Sequence, residues 1–249
     1  MELNRKLHDI MRPMADPLTV EQICMGIGYT AVVTSDGGIG VAYTYLDAKS
    51  GCCMIQDYQD FEGRPARELL ALIQHPDPLK RSMALALINA LNRHRAEQFP
   101  EDKQNMLLFD ALDIGSDTKV SMVGYIKPTV RALESMGAQV DVIDEFRQMG
   151  DKDRFLDKLA TWADAALITS TTILNNTLES ILNRAGEMVR VALLGPSTPM
   201  VAEAFEQQPM VKALAGIVPE GIDPVLKTVR HGLGTHHLHR CSRKVTLTR

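Results

Sequence analysis

The sequence has no apolar run long enough to cross a membrane. Its apolar stretches, such as residues 165–168 and 191–194, fall far short of the roughly 18 residues a spanning helix needs. It also lacks an excess of positive charge. Lys and Arg number 27 against 31 Asp and Glu, a formal net charge of −4 with the signs mixed along the chain. No basic stripe is left to neutralise a phosphate backbone, so nucleic acid is not an expected partner and small molecules are favoured. The start, MELNRKLHDIMRPMADP, holds no apolar core of signal-peptide length and carries Asp9 and Asp16. A cytoplasmic protein is therefore expected. Cysteine is scarce, and no C-x-x-C pair occurs. Cys24, Cys52, Cys53 and Cys241 are expected as reduced thiols, because adjacent Cys52 and Cys53 cannot readily pair with each other. Also missing are a G-x-S-x-G elbow, a P-loop, an H-E-x-x-H motif and a kinase signature, so no catalytic nucleophile is named.

What is present is a chain of 249 residues, 45% of them hydrophobic, enough to bury a core in one large α/β domain or two smaller ones. Residues 2–11 predict a helix stopped near Pro13, and Thr19 with Gln22 fits the start of a further brief helical turn. Residues 27–35 and 39–45 are rich in Val, Thr and Tyr around Asp36-Gly37-Gly38, which predicts an antiparallel hairpin. Helices follow at 64–74 and 79–95, the second opened by Asp77 as N-cap and Pro78 at the first helical position. Asn89 falls among apolar neighbours on that helix and must find a partner, either backbone or ligand. The polar, irregular stretch 96–117 marks a boundary, giving units 1–105 and 106–249.

The second unit alternates apolar strands (120–126, 139–144, 165–169, 189–194, 217–218) with helices (128–136, 152–160, 177–185, 199–206, 223–230). That rhythm predicts a parallel sheet covered on both faces. Two last strands, 236–241 and 244–248, are expected to form a C-terminal β-hairpin.

Ligands of such sheets bind beyond the carboxyl ends of the strands, and three loops there are distinctive. Gly124-Tyr125 has one glycine where a dinucleotide fingerprint needs three, although Asp144 and Glu145 follow at the spacing of a ribose-binding acid. Thr169-Ser170-Thr171-Thr172 is four hydroxyl residues long and leads to Asn176 and Glu179, which fit an N-cap and its N3 acid. Gly195-Pro196-Ser197-Thr198-Pro199 places Thr198 as N-cap and Pro199 at N1, so that free amides would attract an anion. In the first unit, Asp36, Gly38 and Gly40 fit either a mobile ligand loop or a tight turn. The run HGLGTHHLHRC, placed on a strand, would project His237, His239 and Cys241 to one face, a ligand set that zinc, copper or nickel accept. Nearby Arg240 and Arg243 disfavour a cation, so edge-strand histidines facing solvent are the competing reading.

Together GYTAVVTSDGGIGVAYT (28–44), LALINALN (85–92), DAALITSTTILNNTLE (164–179), GPSTPM (195–200) and the closing RKVTLTR resemble one family, that described as "putative heavy-metal chelation". The resemblance spans nearly the whole chain. It implies an enolase N-terminal-like α+β domain, then a Rossmann-like α/β domain, with a ligand site between them. Its motifs correspond here to Thr30, Asp36 to Gly40, Asn89, Gly124 with Tyr125, Thr171 to Asn176, and Gly195 to Pro199. The histidine run lies outside the family's pattern, so its metal role is not carried over. The expectation is a protein that holds a metal complex, a transition metal ion or a small anionic, pterin-like molecule in the interdomain cleft. Alternatives are an enzyme using a nucleotide or S-adenosylmethionine, and a subunit whose loops serve a protein partner. Assembly as a homodimer stays open.

Overall fold

Helix α1 (Glu2–Ala15) carries Leu3, Leu7, Met11 and Ala15 at spacings of four, a single buried stripe. It does not stop at Pro13 as expected. Proline forgoes one backbone hydrogen bond, but Ala15 continues the buried stripe and packing keeps the last turn. The structure, a computed structural model, describes residues 1–46 and 57–249. Cys52 and Cys53 lie outside the described residues, whereas Cys24 and Cys241 are free thiols.

Strands β1 (Val20–Met25), β2 (Tyr29–Thr34) and β3 (Ile39–Tyr43) form an antiparallel sheet in that order. The turn at Asp36 to Gly38 joins β2 to β3 as expected. The helical turn expected at Thr19 is instead the entry to β1, where Gln22 pairs with Val33. Only Val20 of that strand is fully buried, so the sequence shows no clean alternation there.

Helices α2 (Ala66–Leu70), α3 (Pro78–Leu91), α4 (Arg93–Ala96) and α5 (Met106–Ala111) lead to the second sheet. Asp77 caps α3, accepting from the Leu79 amide at 2.9 Å. Then come β4 (Lys119–Val123), α6 (Lys127–Ser135), β5 (Gln139–Ile143), α7 (Lys152–Thr161), β6 (Ala165–Thr169), α8 (Thr171–Leu174), α9 (Leu178–Arg184) and β7 (Arg190–Leu194). The chain ends with β8 (Val211–Pro219), α10 (Ile222–Arg230), α11 (Thr235–Leu238) and β9 (Ser242–Thr248).

The sheet order is β5-β4-β6-β7-β8-β9, parallel except for β9, which pairs antiparallel with β8. The terminal antiparallel pair is therefore present, but its first strand is β8 and not residues 236–241. Those residues are helical. Leu238 and Cys241 both enter the core, and a three-residue spacing brings both inward only on a helical backbone. Likewise no helix begins at Pro199; a single 3-10 turn, Ala202–Phe205, stands in its place.

The small sheet is buried on both faces, which explains why β2 has no exposed residue. Val32 and Ala42 face α3 in the main core, while Ala31, Val33 and Val41 pack with Val225 and Val229 of α10. The two sheets thus share elements. Among the described residues no helix is long and apolar enough to cross a membrane.

Candidate functional site

The strand order turns around at β4. The chain goes outward from β4 to β5, then crosses to β6 on the other side, so the crevice between β4 and β6 is the topological switch point where ligands of such sheets bind. Gly124 follows β4 there at φ +88, and a Cβ would meet Thr169 Cγ2 at 2.9 Å. Glycine is needed for both the backbone conformation and the close approach. Asp144, at the end of β5, fastens this turn. Its Oδ2 accepts from the Tyr125 amide at 2.8 Å and its Oδ1 from the Arg147 amide at 3.0 Å. The Arg147 guanidinium returns over the Tyr125 ring at 5.2 Å.

Two adjoining cavities open at this point, of about 580 and 620 Å³, and they share Tyr43, Tyr125, Ile126, Arg147, Thr169 and Thr171. The first has an aromatic wall. Phe146 lies 5.5 Å from the Tyr45 ring and 6.3 Å from that of Tyr43. Burial, then Tyr45 and Asp144, raise the Tyr43 phenol above its ordinary pKa. The second runs from Gly195 past the start of α6 to Lys244 on β9 and to His236 and His239. Burial lowers the pKa of His239, with Lys244 and His236 acting in the same direction. Lys244 is also lowered by burial, against the opposing pull of Asp102.

Of the residues expected at a site, Gly124, Tyr125, Thr171, Thr172, Gly195, Pro196 and Ser197 line these cavities. Ser197 also joins the sheets, its Oγ accepting from the Tyr43 amide at 2.8 Å. Thr198 lies beneath, fully enclosed. Its hydroxyl sits 2.8 Å from the carbonyls of Gly195 and Ala215 and from Ser170 Oγ, so it is spent inward and caps no helix.

The others serve the fold. Thr30 bonds Thr44 hydroxyl to hydroxyl at 2.9 Å inside the small sheet. Asp36 accepts from Thr34 Oγ1 and from the Gly38 amide, closing its own turn. Burial raises the Asp36 pKa, but these two bonds and its own amide outweigh that and hold it below the ordinary value. Gly38 and Gly40 let α3 approach; a Cβ on Gly40 would stand 2.1 Å from Ala90 N. Asn89 donates to the Val41 carbonyl at 2.8 Å, so its partner is backbone. Asn176 is not an N-cap. It sits at φ +60 and accepts from Asn4 Nδ2, while Asn175 Oδ1 receives the Thr177 amide. Glu179 reaches across to the Leu3 amide at 2.6 Å, at the start of α1.

The histidine run also departs from expectation. Residues two apart on a helical backbone diverge by roughly 200°, so His237 and His239 do not share a face. Cys241 Sγ turns inward, 3.3 Å from the Leu238 carbonyl. Among the described residues no group of three His, Cys, Asp or Glu gathers as ligands for a bare metal ion. The sequence reading missed Tyr43, Tyr45, Phe146, Arg147 and Lys244. Phe146 alone carried a signal, a large apolar side chain in a polar stretch.

Two family models match, at residues 8–92 and 107–248, and both are described as "Putative heavy-metal chelation". An uncharacterized protein of Methanocaldococcus jannaschii is 24% identical over 216 residues, covering 82% of this chain and 81% of its own. Among solved structures, a protein of unknown function from Pyrococcus horikoshii superposes with a TM-score of 0.82 at 19% identity, covering all of both chains. Another from Desulfitobacterium hafniense gives 0.75 at 17%, covering 98% of this chain and 99% of its own. These two likenesses establish the fold. With the second model matching more than half its length, the chain belongs to the family described as "Putative heavy-metal chelation".

Proposed function

We propose that this chain holds a small molecule, a chelated metal or an anionic pterin-like compound, in the cleft between β4, β6 and β7 and the end of β3. The cleft lies between units 1–105 and 106–249. The observation that carries this reading is the switch-point crevice itself, with Gly124 and Thr169 at its base and Gly195 open beside it. No atom lies within 4 Å of where a Gly195 Cβ would be, so a ligand reaches that backbone freely. The donor set does not fit a bare ion, because no three ligating side chains converge among the described residues. It fits a metal arriving with its own organic ligand, since Tyr43, Tyr45 and Phe146 offer ring faces and the loop hydroxyls offer hydrogen bonds.

The test is a melting experiment with nickel and cobalt, free and as their phenanthroline or nitrilotriacetate chelates. A ligand at a hundred times its Kd adds about 2.7 kcal/mol, which for a chain of this size raises Tm by roughly 5 to 11 °C. A chelate is expected to give that rise, and Phe146→Ala to diminish it without changing the unliganded Tm. No rise with any chelate, or an equal rise with the free ions, would overturn the reading.

A further inference from the structure

We propose that the half of the cleft between the start of α6 and β9 is an oxyanion compartment, in which Lys127, Lys244 and Thr129 take a phosphoryl or carboxylate group of the ligand. This rests on the cleft reading above and adds the chemistry of one end of the molecule. The chain carries a net charge of −4, yet here Lys103, Lys127, Arg147 and Lys244 face a single carboxylate, Asp102.

Asp102 is already engaged, its Oδ2 accepting from the Leu108 amide at 3.1 Å and from Thr246 Oγ1 at 2.8 Å. Two of the cations are likewise paired, Lys103 with Glu101 at 3.3 Å and Arg147 with Asp144 at 3.6 Å. Lys127 and Lys244 have no carboxylate within ion-pair distance among the described residues. Lys244 Nζ is instead positioned by two neutral acceptors, the Lys103 carbonyl at 2.9 Å and Asn105 Oδ1 at 2.7 Å. An ammonium has three donors, so one remains for a ligand.

A second observation is independent of charge. Thr129 is 3% exposed and lines the cavity, and its hydroxyl has no hydrogen-bond partner among the described residues. It stands in the first turn of α6, a nine-residue helix whose N-cap Ile126 makes no side-chain cap. The amides of Lys127 and Thr129 belong to the unpaired group at a helix start, and the helix dipole favours an anion there. Lys127, Lys244, the Thr129 hydroxyl and the start of α6 line the same cavity. Of the aromatic wall, Tyr45 and Phe146 line only the first cavity while Tyr43 is shared by both, so the ligand's ring or apolar end is assigned to the first cavity and its oxyanion end to the second.

Calorimetric titration of the full chain with inorganic pyrophosphate and with citrate tests this. At least one is expected to bind, and the tighter of the two tells phosphoryl from carboxylate. Lys127→Met should weaken that binding at least tenfold, and Thr129→Val several-fold, with unchanged melting temperatures. Lys244→Met should weaken it too, but it also loses two internal bonds, so the exposed Lys127 is the deciding position. Lys152→Met removes a cation from the aromatic compartment and should change affinity less than twofold. Equal losses for Lys127→Met and Lys152→Met would show mere charge attraction and overturn the proposal. A protein that responds to chelates but ignores both oxyanions overturns the oxyanion compartment alone; one that ignores chelates and oxyanions alike overturns the cleft reading with it.

Discussion

Replacing Gly40 by alanine separates a packing glycine from a ligand-loop glycine. The added Cβ would meet three backbone atoms of α3, Ala90 N at 2.1 Å, Ala86 O at 2.3 Å and Asn89 C at 2.6 Å. Contact distances between such atoms are about 3.5 Å, so the helix must retreat from β3 by more than 1 Å (roughly, on that spacing). All three atoms are main chain, so none can rotate out of the way. Overpacking of this kind costs about 3 kcal/mol or more, and a chain this long loses roughly 2 to 4 °C of Tm per kcal/mol. Calorimetry should show a fall of about 6 to 12 °C. Gly37 is the control, since it sits at φ +77 with nothing within 4 Å of its Cβ. Gly37→Ala incurs only left-handed backbone strain, about 1 kcal/mol. The reasoning fails if Gly40→Ala melts within a few degrees of the parent, or above Gly37→Ala.

Glu179→Ala leaves the Leu3 amide without its acceptor and should lower stability by about 1 kcal/mol, as loss of a helix cap does; an unchanged denaturation midpoint would contradict that capping role. Ser197→Ala unpairs the Tyr43 amide and should lower stability by about 1 to 3 kcal/mol, while a neutral result in urea titration would mean that water replaces the hydroxyl. His237→Ala should leave any chelate-induced Tm rise intact, because this side chain does not line the cleft; loss of the rise would restore the histidine run as the site. Asp36, whose folded pKa is depressed, contributes stability above its unfolded pKa near 4 that is lost as pH falls through the folded value. The Tm gap between parent and Asp36→Asn should therefore be constant near neutrality and close below about pH 4; a gap that widens in acid would reverse the sign of the shift.

The parallel strands were legible because a strand covered on both faces is apolar nearly throughout, as β6 is from Ala165 to Ile168. Strand β8 was mostly hidden, since VKALAGIVP mixes alanine and glycine with few β-branched residues and only its end reads as strand. The histidine run misled because its alternation mimics a strand, whereas burial of Leu238 and Cys241 imposes the helical spacing. The loops after β4, β6 and β7 could be found by reading, because the carboxyl edge of a parallel sheet is where loops converge. Tyr43 and Lys244 could not. They stand 201 residues apart in sequence, and only the docking of the small sheet and the return of β9 bring both to the cleft. Conversely Thr30, Asn89 and Gly40 looked chemical in the sequence, and their partners prove to be the backbone and hydroxyls of their own fold.

The first helix is held at its start by the second half of the chain. Leu3 is bonded to Glu179, 176 residues away, and Asn4 to Asn176. At 5 to 20 residues per second of synthesis, those partners reach the ribosome exit about 10 to 35 s after α1 does. Throughout that interval α1 can dock on α2 and α3 of its own half, but Leu3 and Asn4 at its start wait for their hydrogen-bond partners. Translation speed between residues 100 and 180 therefore sets how long the start of α1 stays without the bonds that finally fix it.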